Sequence, residues 1–318
     1  MSSKHLVDPE LVGVLDFFPK MLFEKESMTA IRNELEAMYA AMPVPENPFV
    51  IAETVRMPAQ PELPAFDLRV YRHKDAGKNV PAILHFHGGG YVIGSPGICE
   101  IANRTLVAEL GCAIVSVNYP LAPEHPHPQP VEAAYAALKW LNESAGGLGV
   151  DKTRIGVKGE SAGGGLAACL ALLARDRGEF SLAFQHLIQP MLDDRTGSEH
   201  PFAGEFVWTA AQNRFAWSAL LGSATGKSNV SEYAAPARAT NLRGLPPTFI
   251  AVGALDLFLH EDADYAQKLA EAGVPVELHV YPGAYHGFDL LMDTRVAQQA
   301  GRDSLAALRA FMRLPSAT

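Results

Sequence analysis

Long hydrophobic runs and basic clusters are both missing from this chain, and each absence excludes a class of protein. Nowhere does the sequence reach the roughly 18 consecutive apolar residues that a membrane-spanning helix requires, so stable membrane insertion is not expected. Its 26 Lys and Arg residues are outnumbered by 35 Asp and Glu residues, which gives a formal net charge of -9. Because nucleic acids and anionic membrane surfaces bind clustered positive charge, neither is an expected partner.

Cysteine is also scarce. The three cysteines, Cys99, Cys112 and Cys169, are odd in number, widely separated and without the spacing of a metal site. We therefore expect free, buried thiols in a reducing compartment. Acidic residues interrupt residues 1–18, so this segment lacks the apolar core of a signal peptide, and we expect a cytoplasmic protein.

The chain does contain enough apolar residues for a large core, since 48% of its 318 residues are hydrophobic. Short apolar runs, typical of strands buried on both faces, alternate with helical stretches. The predicted strands contain DLRVYRH, AILHF, AIVSV, RIGV, HLIQP, TFIAVG and ELHVY. The predicted helices span residues 28–42, 131–142, 162–175 and 261–272. This alternation predicts an α/β fold in which helices flank a mostly parallel sheet.

Two segments interrupt the alternation. Residues 1–45 contain a helix whose apolar face carries Ile31, Leu35, Met38, Tyr39 and Met42. Residues 196–241 are far longer than the usual α/β connection of about two to six residues, which favours a cap over a site. The aromatic residues of this insertion either line a pocket or form a small core of the cap: Phe202, Phe206, Trp208, Phe215 and Trp217. We predict N-terminal cap helices over 1–45, a core over 46–195 and 242–318, and a cap insertion over 196–241.

The motif GESAG, residues 159–163, follows a predicted strand and opens a predicted helix. This context is typical of a nucleophile elbow, a strand-to-helix turn that presents a serine. Gly159 and Gly163 have the small size that so sharp a turn needs on either side of Ser161. Ala162 begins the helix, so we expect its backbone N–H to stabilise negative charge beside Ser161.

A second glycine motif supports the first. AILHFHGGGY places His87 and three glycines directly after a predicted strand, with Tyr91 next. Loops of this type donate backbone N–H groups to a developing oxyanion, here from Gly88 and Gly89. Removing one such donor typically costs about 10²–10³-fold in rate, which gives the loop a mechanistic purpose.

A serine nucleophile needs a base and an orienting acid, in the chain order Ser, Asp or Glu, His. His286, in the loop GAYHGFD after a predicted strand, is the expected base. Asp256, at the end of TFIAVGALD, is the expected acid, because a carboxylate there can orient the imidazole. The weaker candidates are His186, His200, His260 and His279 for the base and Asp193, Asp194, Asp262 and Asp264 for the acid.

The motifs HGGGYVIGS, NYPLAPEHPHPQP, GESAGGGLA, GLPPTFIAVGALDLF and AYHGF together resemble the hormone-sensitive-lipase-like (bacterial family IV) carboxylesterases over nearly the whole chain. FQHLIQPMLDDR and YAAPARATNLRGLPPT resemble the bacterial heroin esterase branch. The resemblance implies an α/β-hydrolase fold with a helical cap and acyl transfer through an acyl-serine. It implies the triad Ser161, Asp256 and His286, with oxyanion donors at Gly88, Gly89 and Ala162.

Three departures from the family pattern stand out. DLFLHE keeps Asp256 but has His260 where Asp is common, and YPLAPE has Pro120 where Arg is usual. Glu160, beside the nucleophile, stands where the family often has Asp or Thr. We expect Glu160 to brace a loop through a hydrogen bond, and its influence on the pH response of the site stays open.

The expected substrate is a small ester, with water as the second reactant. Tyr91, Phe206 and Trp208 are the expected pocket residues, and a covered pocket favours short to medium acyl groups. No cofactor or metal is expected, because the pairs His85/His87 and His125/His127 lack an evident third ligand.

Three alternatives stay open at this stage. The same triad serves amide or lactone hydrolases, and some relatives on this fold are non-catalytic hormone receptors, although those lack the histidine that AYHGF supplies here. The edge strand VELHVYP could pair across a homodimer, as it does in many relatives.

Overall fold

A single mixed sheet organises the described residues, which are 2–15, 23–44, 47–197 and 200–313 of this computed structural model. Its strands are β1 (Val50–Met57), β2 (Phe66–His73), β3 (Val80–Phe86), β4 (Ala113–Asn118), β5 (Val150–Glu160), β6 (Gln185–Ile188), β7 (Thr248–Gly253) and β8 (Val276–Tyr281). They lie in the order β1-β2-β4-β3-β5-β6-β7-β8. The predicted α/β-hydrolase architecture is confirmed.

The sheet is parallel from β4 through β8, whereas β2 runs antiparallel to both β1 and β4. Each strand predicted from the sequence is present. Strand β1 was not predicted, because its edge position leaves much of VIAETVRM exposed and removes the apolar run that marks a buried strand. Parallel pairing brings the carboxyl ends of β3, β5, β6, β7 and β8 to one edge of the sheet.

Helices cover both faces of this sheet. The α-helices are α1 (Pro9–Val12), α2 (Met28–Ala41), α3 (Glu100–Leu110), α4 (Gln129–Leu148), α5 (Ala162–Arg177), α6 (Ala210–Leu221), α7 (Leu259–Glu271) and α8 (Arg295–Phe311). Short 3₁₀ turns occupy Ser3–Leu6, Pro96–Cys99, Gly222–Ala224, Pro236–Arg238 and Phe288–Leu290. Among the described residues, no helix is both long and apolar enough to cross a membrane.

Alternation along the central strands explains the two layers. Leu84 and Val115 face a core shared with α4, α5 and α7. Their neighbours Ile83 and Ile114 face the opposite core, which contains residues of α3 and α8. Because successive side chains of a strand point to opposite faces, a strand that is apolar at every position is buried on both sides.

The N-terminal segment and the 196–241 insertion meet above the sheet edge. The ring of Phe23 lies 5.7 Å from that of Trp208 and 5.8 Å from that of Phe215. The apolar face predicted for α2 is only half covered, since Met38 and Met42 are 48% and 46% exposed. The structure therefore buries Met28, covers Ile31, Leu35 and Tyr39 in part, and leaves Met38 and Met42 in solvent.

Candidate active site

Ser161 stands on the turn between β5 and α5, in a backbone conformation of φ 55° and ψ -121°. A positive φ strains a residue with a side chain and persists only where the surroundings hold it. Here the Ser161 N–H donates to the Ile188 carbonyl at 2.8 Å, and the Ser161 carbonyl accepts from the Met191 N–H at 2.9 Å. Strand β6 and its following loop thus fix the turn.

Glycine is required on both sides of this turn. A Cβ at Gly159 would lie 2.1 Å from the Gly163 carbonyl oxygen, and one at Gly163 would lie 2.0 Å from the carbonyl oxygen of Phe86. Distances this short exclude any side chain. The two glycines of GESAG therefore let the turn close tightly against the end of β3.

Three side chains join into one hydrogen-bonded line at the sheet edge. Ser161 Oγ lies 3.0 Å from His286 Nε2, and His286 Nδ1 lies 2.8 Å from Asp256 Oδ2. Asp256 is fully buried, and its other oxygen accepts from the Phe258 N–H at 2.9 Å. With the Nδ1 proton donated to Asp256, Nε2 is free to accept the Ser161 hydroxyl proton, which is the geometry of a nucleophile, base and orienting acid.

None of the weaker candidates belongs to this hydrogen-bonded line. His186 is buried and stacks on Phe249, His279 lies within β8, and the His200 ring sits 4.8 Å from that of His260. The four aspartates likewise lie outside the line of Ser161, His286 and Asp256. Asp193 pairs with Arg195, Asp194 pairs with Arg238, Asp262 is buried in α7, and Asp264 is exposed.

The glycine loop after β3 lies against Ser161. A Cβ on Gly88 would sit 3.4 Å from the Ser161 Cβ, so the two residues are neighbours. Gly89 has φ +121°, and a Cβ there would lie 2.1 Å from the Ile93 carbonyl oxygen. No described group accepts a hydrogen bond from the backbone N–H of Gly88, Gly89 or Ala162. These three donors are therefore available beside the nucleophile.

The predicted pocket residues differ in their placement. Trp208 lies closest to the line, with its ring 6.2 Å from that of His286 and its indole carbons against Gly90. Phe206 is partly buried and packs near the Tyr285 ring. Tyr91 is only 1% exposed and packs within the core, so it supports the glycine loop from behind.

Glu160 lies in a separate polar cluster on the α3 side of the sheet. Its carboxylate accepts from His85 Nε2 at 2.9 Å and forms an ion pair with Lys158. Burial raises the pKa of Glu160, but Lys158 and His85 more than offset it and hold the pKa below its usual range. The bracing hydrogen bond expected for this residue therefore runs to a strand, β3, and not to a loop.

This cluster places two donor residues other than His87 beside His85. Donor atoms of His85, Cys99 and Glu160 lie within 4.8 Å of one another. The Glu160 carboxylate is already ion-paired with the Lys158 ammonium, and burial raises the pKa of the Cys99 thiol well above its usual range. Metal coordination needs a thiolate and a free carboxylate, so this donor set does not favour a cation.

Comparison with known proteins adds independent evidence to this geometry. Residues 83–290 match the model of a family described as alpha/beta hydrolase fold. The chain belongs to this family. Bacterial heroin esterase superposes with a TM-score of 0.90 at 36% identity, covering 98% of this chain and 100% of that one. The resemblance to hormone-sensitive-lipase-like esterases and the expected enzyme class, a carboxylic-ester hydrolase, are confirmed.

Curated relatives in the alpha/beta hydrolase family include both enzymes and receptors. The esterase LipI of Mycobacterium tuberculosis is 34% identical, over 90% of this chain and 89% of its own length. The gibberellin receptor GID1A of Arabidopsis thaliana is 32% identical, over 68% of this chain and 64% of its own length. Similarity to the esterase thus extends over about nine tenths of both chains, whereas the receptor matches about two thirds of each.

Two residues that hold loops near the site, Arg32 and Gln189, were not identified from the sequence. Arg32 of α2 donates to the carbonyls of Val92 and Ala122, both at 2.7 Å, and pairs with Glu124. It brings a guanidinium to the YPLAPE loop, where the family arginine is replaced by proline. Gln189 follows β6 and bonds to the loop of His286. Neither carries a motif, because each acts across a long stretch of chain.

Proposed function

We propose that this chain is a serine carboxylesterase that cleaves short- to medium-chain esters through an acyl-serine intermediate. The continuous line from Ser161 through His286 to Asp256, at 3.0 and 2.8 Å, carries the proposal. Ser161 Oγ attacks the ester carbonyl while His286 Nε2 takes its proton, and Asp256 stabilises the imidazolium that results. His286 then returns the proton to the departing alcohol.

The tetrahedral intermediate carries a negative oxygen that needs donors already in place. Backbone N–H groups of Gly88, Gly89 and Ala162 fill this role in the proposal, because they surround Ser161 without other acceptors among the described residues. Fixed donors are worth more than water because they need no reorganisation during the reaction. Water activated by His286 finally hydrolyses the acyl-serine.

The aromatic residues above the line supply the proposed acyl site. Trp208 forms its wall, supported by Phe23 and by Phe215 of α6. In this proposal the N-terminal segment and residues 196–241 form a cap, Phe206 lies at its rim, and Tyr91 acts only by supporting the glycine loop. A wall built of two distant chain segments limits acyl length, which favours short and medium esters over long-chain lipids.

A series of p-nitrophenyl esters of rising acyl length tests this function. Wild-type protein should hydrolyse them, and S161A should lose activity by a factor of about 10⁴ or more. Equal rates for the two proteins would contradict the mechanism. The variant W208A should move the preferred acyl length upward, while F202A, at an exposed aromatic of the same insertion, should leave it unchanged.

Two further proposals concern the state of the molecule. Strand β8 is an edge strand with Leu278 and Val280 exposed at 38% and 43%, which supports a homodimer formed by pairing of this edge. A charged substitution, V280K, should raise the monomer fraction in sedimentation. We also propose a cytoplasmic location, which the burial of Cys99, Cys112 and Cys169 without a disulfide between them supports and cell fractionation would test.

A further inference from the structure

The loop that carries His286 is held from one side by a single buried amide. Gln189 Oε1 accepts from the Gly287 N–H at 2.6 Å, and Gln189 Nε2 donates to Asp289 Oδ1 at 2.6 Å. The Gln189 residue is only 3% exposed. Both the oxygen and the nitrogen of its amide are thus hydrogen-bonded to residues that closely follow His286.

Gln189 is itself fixed by its backbone. It has φ +47°, an uncommon value for a residue with a side chain, and its N–H donates to the Ala251 carbonyl at 2.7 Å. Strained backbone of this kind persists where tertiary contacts hold it and is concentrated at functional sites. The amide therefore projects from a rigid strand end, since β6 pairs with β5 and β7 on either side.

The hydrogen-bonding pattern defines which way the amide faces. The Gly287 N–H can only donate, so it requires the carbonyl oxygen, and the carboxylate of Asp289 requires the NH₂ group. The Gly287 N–H belongs to the peptide that leaves His286. Holding that peptide plane restrains rotation about the His286 backbone and hence the direction of its ring.

We propose that Gln189 is a positioning residue for this esterase: its amide clamps the peptide after His286 and the Asp289 carboxylate, and so keeps His286 Nε2 aimed at Ser161. The inference rests on the proposed function, because it assigns His286 as the base. A clamp of this kind acts on the geometry of reaction and not on substrate affinity. Misplacement of about 1 Å, even by a residue outside the chemistry, costs up to about 10²-fold in rate.

The first test is Q189L, which keeps most of the side-chain volume and removes both hydrogen bonds. We expect kcat to fall about 10- to 100-fold while KM stays within about twofold. The matched control is Q185L, because Gln185 begins the same strand, is fully buried and donates to Thr248 Oγ1 at 3.0 Å far from His286. Q185L should lower Tm but leave kcat within about twofold.

The second test reverses the polarity of the clamp. Q189E places a carboxylate against Asp289 and should lose activity by repulsion. In Q189E/D289N, the new carboxylate can accept from both the Gly287 N–H and the new side-chain amide, so kcat should recover about tenfold or more over Q189E. This comparison decides the matter even if Q189L does not fold.

Failure of the inference is separable from failure of the proposed function. If Q189L and Q185L lower Tm alike and both keep wild-type kcat, Gln189 is merely structural. A double variant no faster than Q189E would also overturn the clamp. S161A, assayed beside them, reports on the proposed function alone, because a fully active S161A would remove the assigned mechanism whatever Gln189 does.

Discussion

Among the described residues, two histidine–carboxylate pairs flank the same serine. His286 Nδ1 lies 2.8 Å from Asp256, and His85 Nε2 lies 2.9 Å from Glu160, the residue beside Ser161. By distance alone the two pairs are alike. They differ in what the second ring nitrogen does, because His286 turns Nε2 to Ser161 Oγ whereas His85 turns Nδ1 to Ser116 Oγ at 2.8 Å.

The difference shows what equips a histidine to act as a base. The carboxylate fixes the tautomer and stabilises the imidazolium, but the other nitrogen must also face the group that loses the proton. His85 has both nitrogens engaged inside the fold, and its carboxylate is shared with Lys158. Its pair belongs to a charge cluster that joins β3 to β5, while the pair of His286 spans the ends of β7 and β8.

The largest expected effect comes from removing each histidine in turn. H286N should lower kcat/KM by about 10⁴-fold or more, because the nucleophile loses its base. H85N should lower Tm, since it disturbs a buried network, but should retain activity within about tenfold. Steady-state rates and thermal unfolding of both variants check this, and comparable rate losses would show that the two pairs share one function.

Removing the two negative charges is the next comparison. D256N should cost about 10⁴-fold in kcat, because an amide no longer selects the tautomer that leaves Nε2 free. E160Q should cost at least about a hundredfold less in rate, but it leaves the buried Lys158 ammonium without its counter-charge and should lower Tm clearly. A rate loss for E160Q that matched D256N would place Glu160 in the reaction.

A smaller loss is expected at the glycine loop, which lies against Ser161. G89A places a Cβ at 2.1 Å from the Ile93 carbonyl and in a left-handed conformation, so the loop must move. We expect kcat to fall about 10²–10³-fold, the typical cost of one oxyanion donor. The control G147A, where a Cβ meets nothing within 4 Å, should leave kcat unchanged.

The smallest effect concerns histidines that have no carboxylate at all. Burial lowers the pKa of His87 to about 4 and that of His186 to about 3. With an unfolded-state pKa near 6.5, the unfolded chain binds more protons below that pH, so stability is lost as the pH falls from about 6.5 towards 4. Denaturant unfolding should show a lower free energy of unfolding at pH 4.5 than at pH 7. The variant H186F should reduce this difference. The control H260Q, at an exposed site, should leave it unchanged.

The sequence supported the fold and the three proposed reacting residues for a simple reason. Buried parallel strands appear in the sequence as apolar runs, and a strained turn next to a strand requires glycines. The motifs GESAG and HGGG can therefore be recognised from the sequence alone. Strand β1 was not predicted, because an edge strand that is largely exposed lacks a sharp apolar signal.

Contacts that join distant parts of the chain were the hardest to predict. Gln189 and Asp289 are 100 residues apart, and Arg32 reaches Ala122 over 90. A lone Gln or Arg has no periodicity or spacing to mark it. Glu160 stands out in the sequence, but its partners His85 and Lys158 could not be chosen without knowing which side chains share a face of the sheet.

The amino-acid sequence by itself determined the alternation of strands and helices, the elbow at Ser161 and the order of serine, acid and histidine, because these depend on local backbone requirements. Only the tertiary structure decided that His85 and Glu160 form a second pair with both ring nitrogens bonded away from the serine, which aromatic rings lie near Ser161 and His286, and which amide holds the His286 loop. These features depend on the orientation of side chains, which is fixed by the tertiary contacts that each side chain makes and not by its local sequence.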